Sequence, residues 1–260
     1  MVTLTVASWN VNSLNVRLDQ VLDWLREFDV DLLCLQELKM ESQKIDSSLF
    51  DSIGYGIYAL GQKTYNGVAL ISKHPITDLV ENLPNYEDPQ KRLLAGTLSI
   101  DKKQVRIVNV YCPNGSDLES PKFSYKMEWF SALRTYIEDQ LNTNENLILT
   151  GDFNIAPKDE DIHPKYLGPI LISPQERAHF EALLDLGLVD TFRLFEQEQN
   201  SFSWWDYRQF GFKRNAGLRI DHILASSSLG KKCYKSWIDK KQRAHERPSD
   251  HAPVLAEFKL

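Results

Sequence analysis

Short runs of strand-forming residues recur along this chain, each bounded by Gly, Pro, Asn or Asp. They are TLTVASW (3–9), DLLCLQ (31–36), GVALIS (67–72), LLAGTLSI (93–100), QVRIVNVYC (104–112), NLILTG (146–151), LRIDHILA (218–225) and PVLAEFKL (253–260). Their composition and length predict strands. Few helical patterns lie between them. Leu18, Val21, Leu22, Leu25 and Phe28 recur at helical spacing, and Met127, Phe130, Leu133, Tyr136, Ile137 and Leu141 form a stripe in a segment opened by Pro121. In SPQERAHFEALLDLG (173–187), Ser173 is placed as N-cap, Pro174 at N1, Glu176 as the capping-box partner and Gly187 as the stop. Many strands with few interleaved helices suit two packed sheets covered by helices better than one doubly wound parallel sheet. The runs at 67–72, 76–83, 93–100 and 104–112 would form a meander, and residues 1–260 one domain.

Polar residues gather where these runs end. Asn10 and Asn12 follow the first, Glu37 the second, Tyr111 and Asn114 the fifth, and Asp152 and Asn154 the sixth. Asp221 and His222 lie inside an apolar run, and Asp250 and His251 stand just before the last. Carboxylates and carboxamides are hard oxygen ligands suited to Mg²⁺ or Mn²⁺, whereas no Cys/His cluster has zinc spacing. Mg²⁺ usually takes one or two carboxylates plus substrate phosphate, so this inventory suits phosphoryl chemistry.

The chain carries a net charge of −6, which by itself speaks against a nucleic-acid partner. The distribution says otherwise: residues 201–260 hold 12 Lys+Arg against 6 Asp+Glu, leaving 18 against 30 in residues 1–200. A local basic face can bind phosphates despite an acidic total. No run approaches a membrane span, and MVTLTVASWNVN lacks the basic and apolar regions of a signal peptide, so a cytoplasmic protein is expected. Cys34, Cys112 and Cys233 are widely spaced and read as reduced, small hydrophobes.

WNVN, LQE, NVYCPNG, GDFN and SDHAPV, in that order, resemble the successive motifs of the endonuclease/exonuclease/phosphatase superfamily. GQKTYNGVAL (61–70), SWWDYR (203–208), GLRIDHILAS (217–226) and ERPSDHAPV (246–254) resemble its exodeoxyribonuclease III branch of abasic-site endonucleases. The resemblance implies an α/β fold, a four-layer α/β sandwich of two mostly antiparallel sheets packed together and flanked by helices. It also implies a site at one edge of the two sheets and metal-dependent hydrolysis of duplex-DNA phosphodiesters. Incision 5′ to abasic sites, 3′→5′ exonuclease action and removal of 3′-blocking groups would be included, with Mg²⁺ as cofactor, Mn²⁺ as a substitute, and a monomeric enzyme.

Carried over residue by residue, the resemblance makes Glu37 a metal ligand, with Asn10 on the metal or a phosphate oxygen and Asp250 near the metal. His251 would pair with Asp221 rather than with its neighbour Asp250, and would either activate water or stabilise the phosphate charge. Asp152 would orient the attacking water or protonate the leaving 3′ oxygen. Asn154 would bind phosphate oxygens, and Tyr111 would donate its hydroxyl to the phosphate or leaving group. Trp204 would pack on the flipped abasic sugar. Lys63, Tyr65, Asn66 and Arg208 are the expected DNA contacts, joined by Arg17 and Asn12, the latter a weaker candidate that also reads as a turn residue. His222 reads as structural, because side chains alternate along a strand. Asn15 and the segment 161–173 depart from the family pattern, and those loops would set the balance between endonuclease and exonuclease action. A phosphatase or nonspecific nuclease of the same superfamily, or a DNA-binding relative without catalysis, are the rival readings.

Overall fold

The strand runs pair into two six-stranded sheets in a computed structural model, which describes all residues except Met1, Leu167 and Pro169. The first sheet contains β1 (Thr3–Asn10), β2 (Leu32–Gln36), β3 (Gly56–Leu60), β4 (Val68–Ser72), β11 (Cys233–Ile238) and β12 (Val254–Lys259), in the order β11-β12-β1-β2-β4-β3. The second contains β5 (Ile76–Glu81), β6 (Leu93–Ile100), β7 (Lys103–Tyr111), β8 (Leu147–Asp152), β9 (Leu188–Asp190) and β10 (Asp221–Ser226), in the order β5-β6-β7-β8-β10-β9. Each sheet has one parallel pair, β1/β2 and β7/β8, and is otherwise antiparallel. Parallel neighbours need a crossover. Helix α1 (Leu14–Phe28) supplies the first and, after the short α2 (Ser47–Asp51), α3 (Pro121–Thr143) supplies the second.

Alternation along each strand builds the layers. Leu4 and Val6 of β1, Leu32 and Cys34 of β2, and Val68 and Leu70 of β4 face Leu94, Leu98, Val105, Ile107, Ile148 and Ile223 across the inter-sheet core. The alternate residues Ala7, Trp9, Leu33, Leu35, Ala69 and Ile71 pack outward on Val21, Leu22, Trp24 and Leu25 of α1. On the other side, Val108, Val110, Leu147 and Leu149 pack on Phe130, Leu133 and Ile137 of α3 and on Phe180 and Leu183 of α4 (Pro174–Leu184). Both faces of the central strands are buried, which is why they read as continuous apolar runs. The result is the expected four-layer α/β sandwich. The capping box of α4 is present, with Ser173 and Glu176 bonded reciprocally. Among the described residues, no helix is long and apolar enough to cross a membrane.

Three expectations change. The meander begins at β5, because β4 belongs to the other sheet, and the chain passes between sheets at Lys73-His74-Pro75. Proline lacks the donor a continuous ladder needs. Strands β3, β9 and β11 were not predicted; β3 and β11 are edge strands whose mixed exposure blurs the apolar pattern. The run 218–225 enters its strand only at Asp221.

One glycine is required by close approach. Gly151 adopts φ +143°, and a Cβ there would lie 1.9 Å from the carbonyl oxygen of Val110 on the adjoining strand. Gly151→Ala is expected to cost about 3 kcal/mol or more, read as a lowered midpoint in urea denaturation.

Candidate active site

The C-terminal ends of both parallel pairs, the start of β10 and the segment before β12 meet at one edge of the sandwich. Below that edge a buried polar bridge joins the sheets. Gln36 at the end of β2 donates to Asn109 Oδ1 of β7 at 2.7 Å, and Asn109 donates in turn to the carbonyls of Leu35 and Ala69, each at 2.9 Å. This bridge sets Glu37, the residue after Gln36, and Tyr111, two past Asn109, at fixed positions across the gap. The backbone is unusual here. Asn12, Glu37, Lys39 and Asn154 all adopt positive φ between 46° and 53°, a conformation that costs non-glycine residues free energy and clusters at functional sites.

Asn10 sits at the centre. Its amide nitrogen donates to Glu37 Oε1 and to Asp152 Oδ2, both at 2.9 Å, while its carbonyl oxygen accepts from the Asn12 backbone. So oriented, it ties the two carboxylates together and turns its oxygen away from them. The second Asp152 oxygen accepts from the Asn154 backbone at 2.9 Å. His251 presents Nε2 to Asp152 Oδ2 at 3.8 Å, and Asp221 holds Nδ1 at 2.9 Å. Asp221 is fixed in its turn by Ser203, whose hydroxyl donates to it at 2.6 Å and accepts from the backbone of Ile220 and Asp221. The pairing with Asp221 rather than Asp250 follows from register: Asp221 stands opposite Asp152 on β8, and His251 bridges to Trp204.

The electrostatics separate the roles. Burial opposes the charged imidazolium of His251, but Asp221 and then Asp152 outweigh it and push it up to about 10. Burial raises Asp152 to about 7, against the pull of His251. Tyr111 is held as a neutral phenol, chiefly by burial and then by Glu37 and Asp152, with Arg92 opposing. His222 faces the other side of its strand: Arg219 donates to Nδ1 at 3.0 Å and Nε2 meets the Ile155 carbonyl at 3.0 Å. Burial and then Arg219 depress it to about 4, so it stays neutral and structural.

Glu37, Asp152 and His251 each bring one donor atom within 4.8 Å of the others. His251 is engaged by Asp221 through Nδ1 and faces Asp152 through Nε2, and the other two donors are carboxylate oxygens. A cation already stands beside them: the Lys39 ammonium lies 2.8 Å from Glu37 Oε2 and 2.5 Å from Asn12 Oδ1. Oxygen donors that bracket a positive charge fit a hard divalent ion.

The remaining expected residues take varied positions. Asp250 accepts from Asn12 at 2.9 Å and from the Trp204 indole at 3.0 Å, so both its oxygens orient neighbours. Arg17 bonds the carbonyls of Asn12, Arg247 and Pro248 and the Tyr207 hydroxyl, bracing loops from within. Asn66 is buried and bonds Gln62 and Gln90, shaping the loop that leaves Lys63 and Tyr65 exposed. Arg208 is exposed and paired with Asp206. Phe210, 71% exposed, stands at positive φ beside Lys213. Trp204 is half-buried, with Tyr166 packed against it at 5.5 Å between ring centroids. Sequence reasoning did not find Lys39, Ser203, Arg92 or Tyr166; the last three do not follow a strand end, and Lys39, three residues past β2, lies outside the quoted motifs.

Two carboxylates, a charged histidine on a buried aspartate and a cation-bracketing oxygen set define a phosphoester hydrolase on an α/β sandwich. The profile of the Endonuclease/Exonuclease/phosphatase family matches residues 7–251, and the chain belongs to that family. Exodeoxyribonuclease III of Haemophilus influenzae is 36% identical over 97% of this chain and 98% of its own. Among solved structures, the 3′ phosphatase NExo from Neisseria, bound to a product DNA hairpin, is 45% identical with a TM-score of 0.95, covering 99% of this chain and 100% of its own. An AP endonuclease from Archaeoglobus fulgidus is 32% identical with a TM-score of 0.93, over 99% and 100% of the two chains.

Proposed function

We propose that this protein is a Mg²⁺-dependent DNA repair nuclease that hydrolyses phosphodiesters of duplex DNA, acting chiefly at 3′ ends and more weakly 5′ to abasic sites. It works as a monomer in the cytoplasm, and Mn²⁺ substitutes. The Asp221–His251–Asp152 line running into Glu37 carries this reading. Relatives named exodeoxyribonuclease III, AP endonuclease and 3′ phosphatase support the substrate class.

Hydrolysis needs an activated water, a stabilised phosphorane-like charge and a proton for the leaving 3′ oxygen. Asp152, near neutral in its affinity for protons, takes one from the water. His251 is held charged and donates from Nε2 to a phosphate oxygen, acting as a charge stabiliser. Asn154 gives one amide proton to the Cys112 carbonyl and keeps the other for a second phosphate oxygen. Tyr111, neutral and adjoining Glu37, supplies the proton for the leaving oxygen. Glu37 would hold the divalent ion with Asp152 in reach, Asn10 aligning both carboxylates. When bound, the ion supplies Lewis-acid polarisation of the phosphate. Lys63, Tyr65, Arg208, Phe210 and Lys213 offer a basic, aromatic face to the duplex.

Tyr166 covers part of the Trp204 surface that a flipped abasic sugar would use. This favours 3′-end reactions over abasic incision. Three duplexes test the proposal: one with a 3′-phosphate at a nick, one with an abasic-site analogue, and one intact. Each is incubated with Mg²⁺, Mn²⁺ or EDTA. Metal-dependent 3′ processing with slower abasic incision is expected, and no cleavage of any duplex would overturn the nuclease reading. Tyr166→Ala is expected to raise the ratio of abasic to 3′-end cleavage about tenfold, the scale of one added or removed apolar contact in a selective pocket.

A further inference from the structure

A lysine occupies a position on α3 where the helix otherwise turns apolar residues to the core. Phe123, Lys126, Phe130, Leu133 and Ile137 share one face by spacing, and Lys126 is fully buried there. Its ammonium has three protons and three acceptors: Glu176 Oε1 at 2.5 Å, the carbonyl oxygen of Asn154 at 2.8 Å and that of Asn114 at 3.2 Å. Glu176, equally buried, also accepts from the backbone of Leu171 and Ser173 and from the Ser173 hydroxyl. The two asparagines whose carbonyls are gripped are themselves cross-linked, Asn114 donating to Asn154 Oδ1 at 3.0 Å. Asn154 is held at φ +50°. Gly115, at φ +92°, lets the 113–116 loop close over the lysine stem, since a Cβ there would meet Lys126 Cδ at 3.1 Å.

A buried ion pair is a weak device for stability alone, because apolar residues of similar volume commonly do as well. What apolar residues cannot reproduce is the pair of N–H donors to the Asn114 and Asn154 carbonyls. We propose that Lys126, oriented by Glu176, is a positioning residue for the phosphate-binding Asn154, fixing its backbone and its Asn114 partner so that the amide stands ready where phosphate charge develops. The inference rests on the reading of Asn154 as a phosphate ligand.

Wild type, Glu176→Gln, Lys126→Met, Lys126→Met/Glu176→Gln and Asn154→Ala are compared for kcat and KM on a 3′-end DNA substrate in Mg²⁺, and for urea unfolding. Glu176→Gln removes the counter-charge but leaves all three lysine donors an acceptor, so stability falls while kcat stays within about threefold. The double variant buries no charge and keeps the capping-box acceptor. Its stability recovers to the level of Glu176→Gln or above, yet kcat stays at least about tenfold low with KM little changed, as expected when a reacting group is displaced. A kcat that simply follows stability across the set, or a double variant with wild-type kcat, overturns the positioning role. A wild type without metal-dependent cleavage, or Asn154→Ala at the wild-type rate, instead overturns the reading beneath it.

Discussion

Replacing Asp152 with asparagine is expected to lower kcat by about 10³-fold while leaving duplex binding intact, within the range for removal of a general base. Asp152 is buried at the end of β8, with one oxygen on the Asn154 backbone and the other on the Asn10 amide. Asparagine can keep one of these bonds through its carbonyl. Its amide then meets either another N–H or the Asn10 amide, and it cannot accept a proton from water. Phosphate approaches a site with one less negative charge, so affinity for DNA holds or rises. The two effects separate in a binding titration with EDTA present and a single-turnover assay with Mg²⁺. The pH profile gives an independent check. Burial raises Asp152 to about 7 in the metal-free protein. The wild-type rate should therefore climb with pH as the group ionises, along a limb that bound metal moves to lower pH, and the variant should lack that limb. Equal losses in binding and kcat would mean that Asp152 holds the site together rather than reacts in it.

How much of this site is legible in the sequence depends on where each residue stands. Asn10, Glu37, Tyr111 and Asp152 close buried strands whose apolar runs are plain, and chain order alone puts polar groups at the ends of parallel neighbours. Asp221 and His251 are 30 residues apart, and only the family pattern predicted their meeting. Residues that act through others leave fainter traces. Ser203 looks like any loop serine until its hydroxyl is seen bridging Asp221 to the backbone. Lys126 did leave a signal, a charge at an apolar position of α3, which the broad stripe from Met127 to Leu141 concealed. Arg17 and Asn66 show a different limit. Both carry donors suited to DNA, and the structure adds a role in loop closure that their motifs do not reveal. Loop conformation is set by such side-chain bonds, many between distant segments, which no local pattern encodes. The edge strands β3 and β11 were missed for a related reason: strand periodicity is clear where a face is buried and fades at an edge.

Asp221→Asn is expected to reduce kcat by about 10²-fold at neutral pH, the scale of losing a preorganised charge at the transition state, and by more as pH rises. The reason lies in the charge of the replacement. Ser203 donates to Asp221 Oδ2 and has backbone donors on its own oxygen, so it must keep giving its proton to residue 221. The asparagine carbonyl will take that bond, at the oxygen position that also lies 2.9 Å from His251 Nδ1. The ring then keeps a neighbour but loses the anionic partner that held its charge. In the wild type, burial disfavours the charged ring, and Asp221 with Asp152 overcomes this to hold it near 10. Without Asp221 the burial penalty is opposed only by the more distant carboxylates, and the pKa falls toward or below the ordinary histidine value. The alkaline limb of the rate should therefore move toward neutral pH, from a wild-type position that bound metal sets below the metal-free value of about 10. The same shift governs stability of the metal-free protein. A histidine with its folded pKa raised stabilises fully below its unfolded value, about 6.5, and loses that contribution as pH rises through the folded value. Wild-type stability should decline from about pH 6.5 toward 10, and Asp221→Asn should flatten that decline. NMR titration of the His251 ring protons reads the pKa directly. A ring that still titrates near 10 in the variant would show that Asp152 suffices to hold the charge, and that Asp221 serves only to aim it.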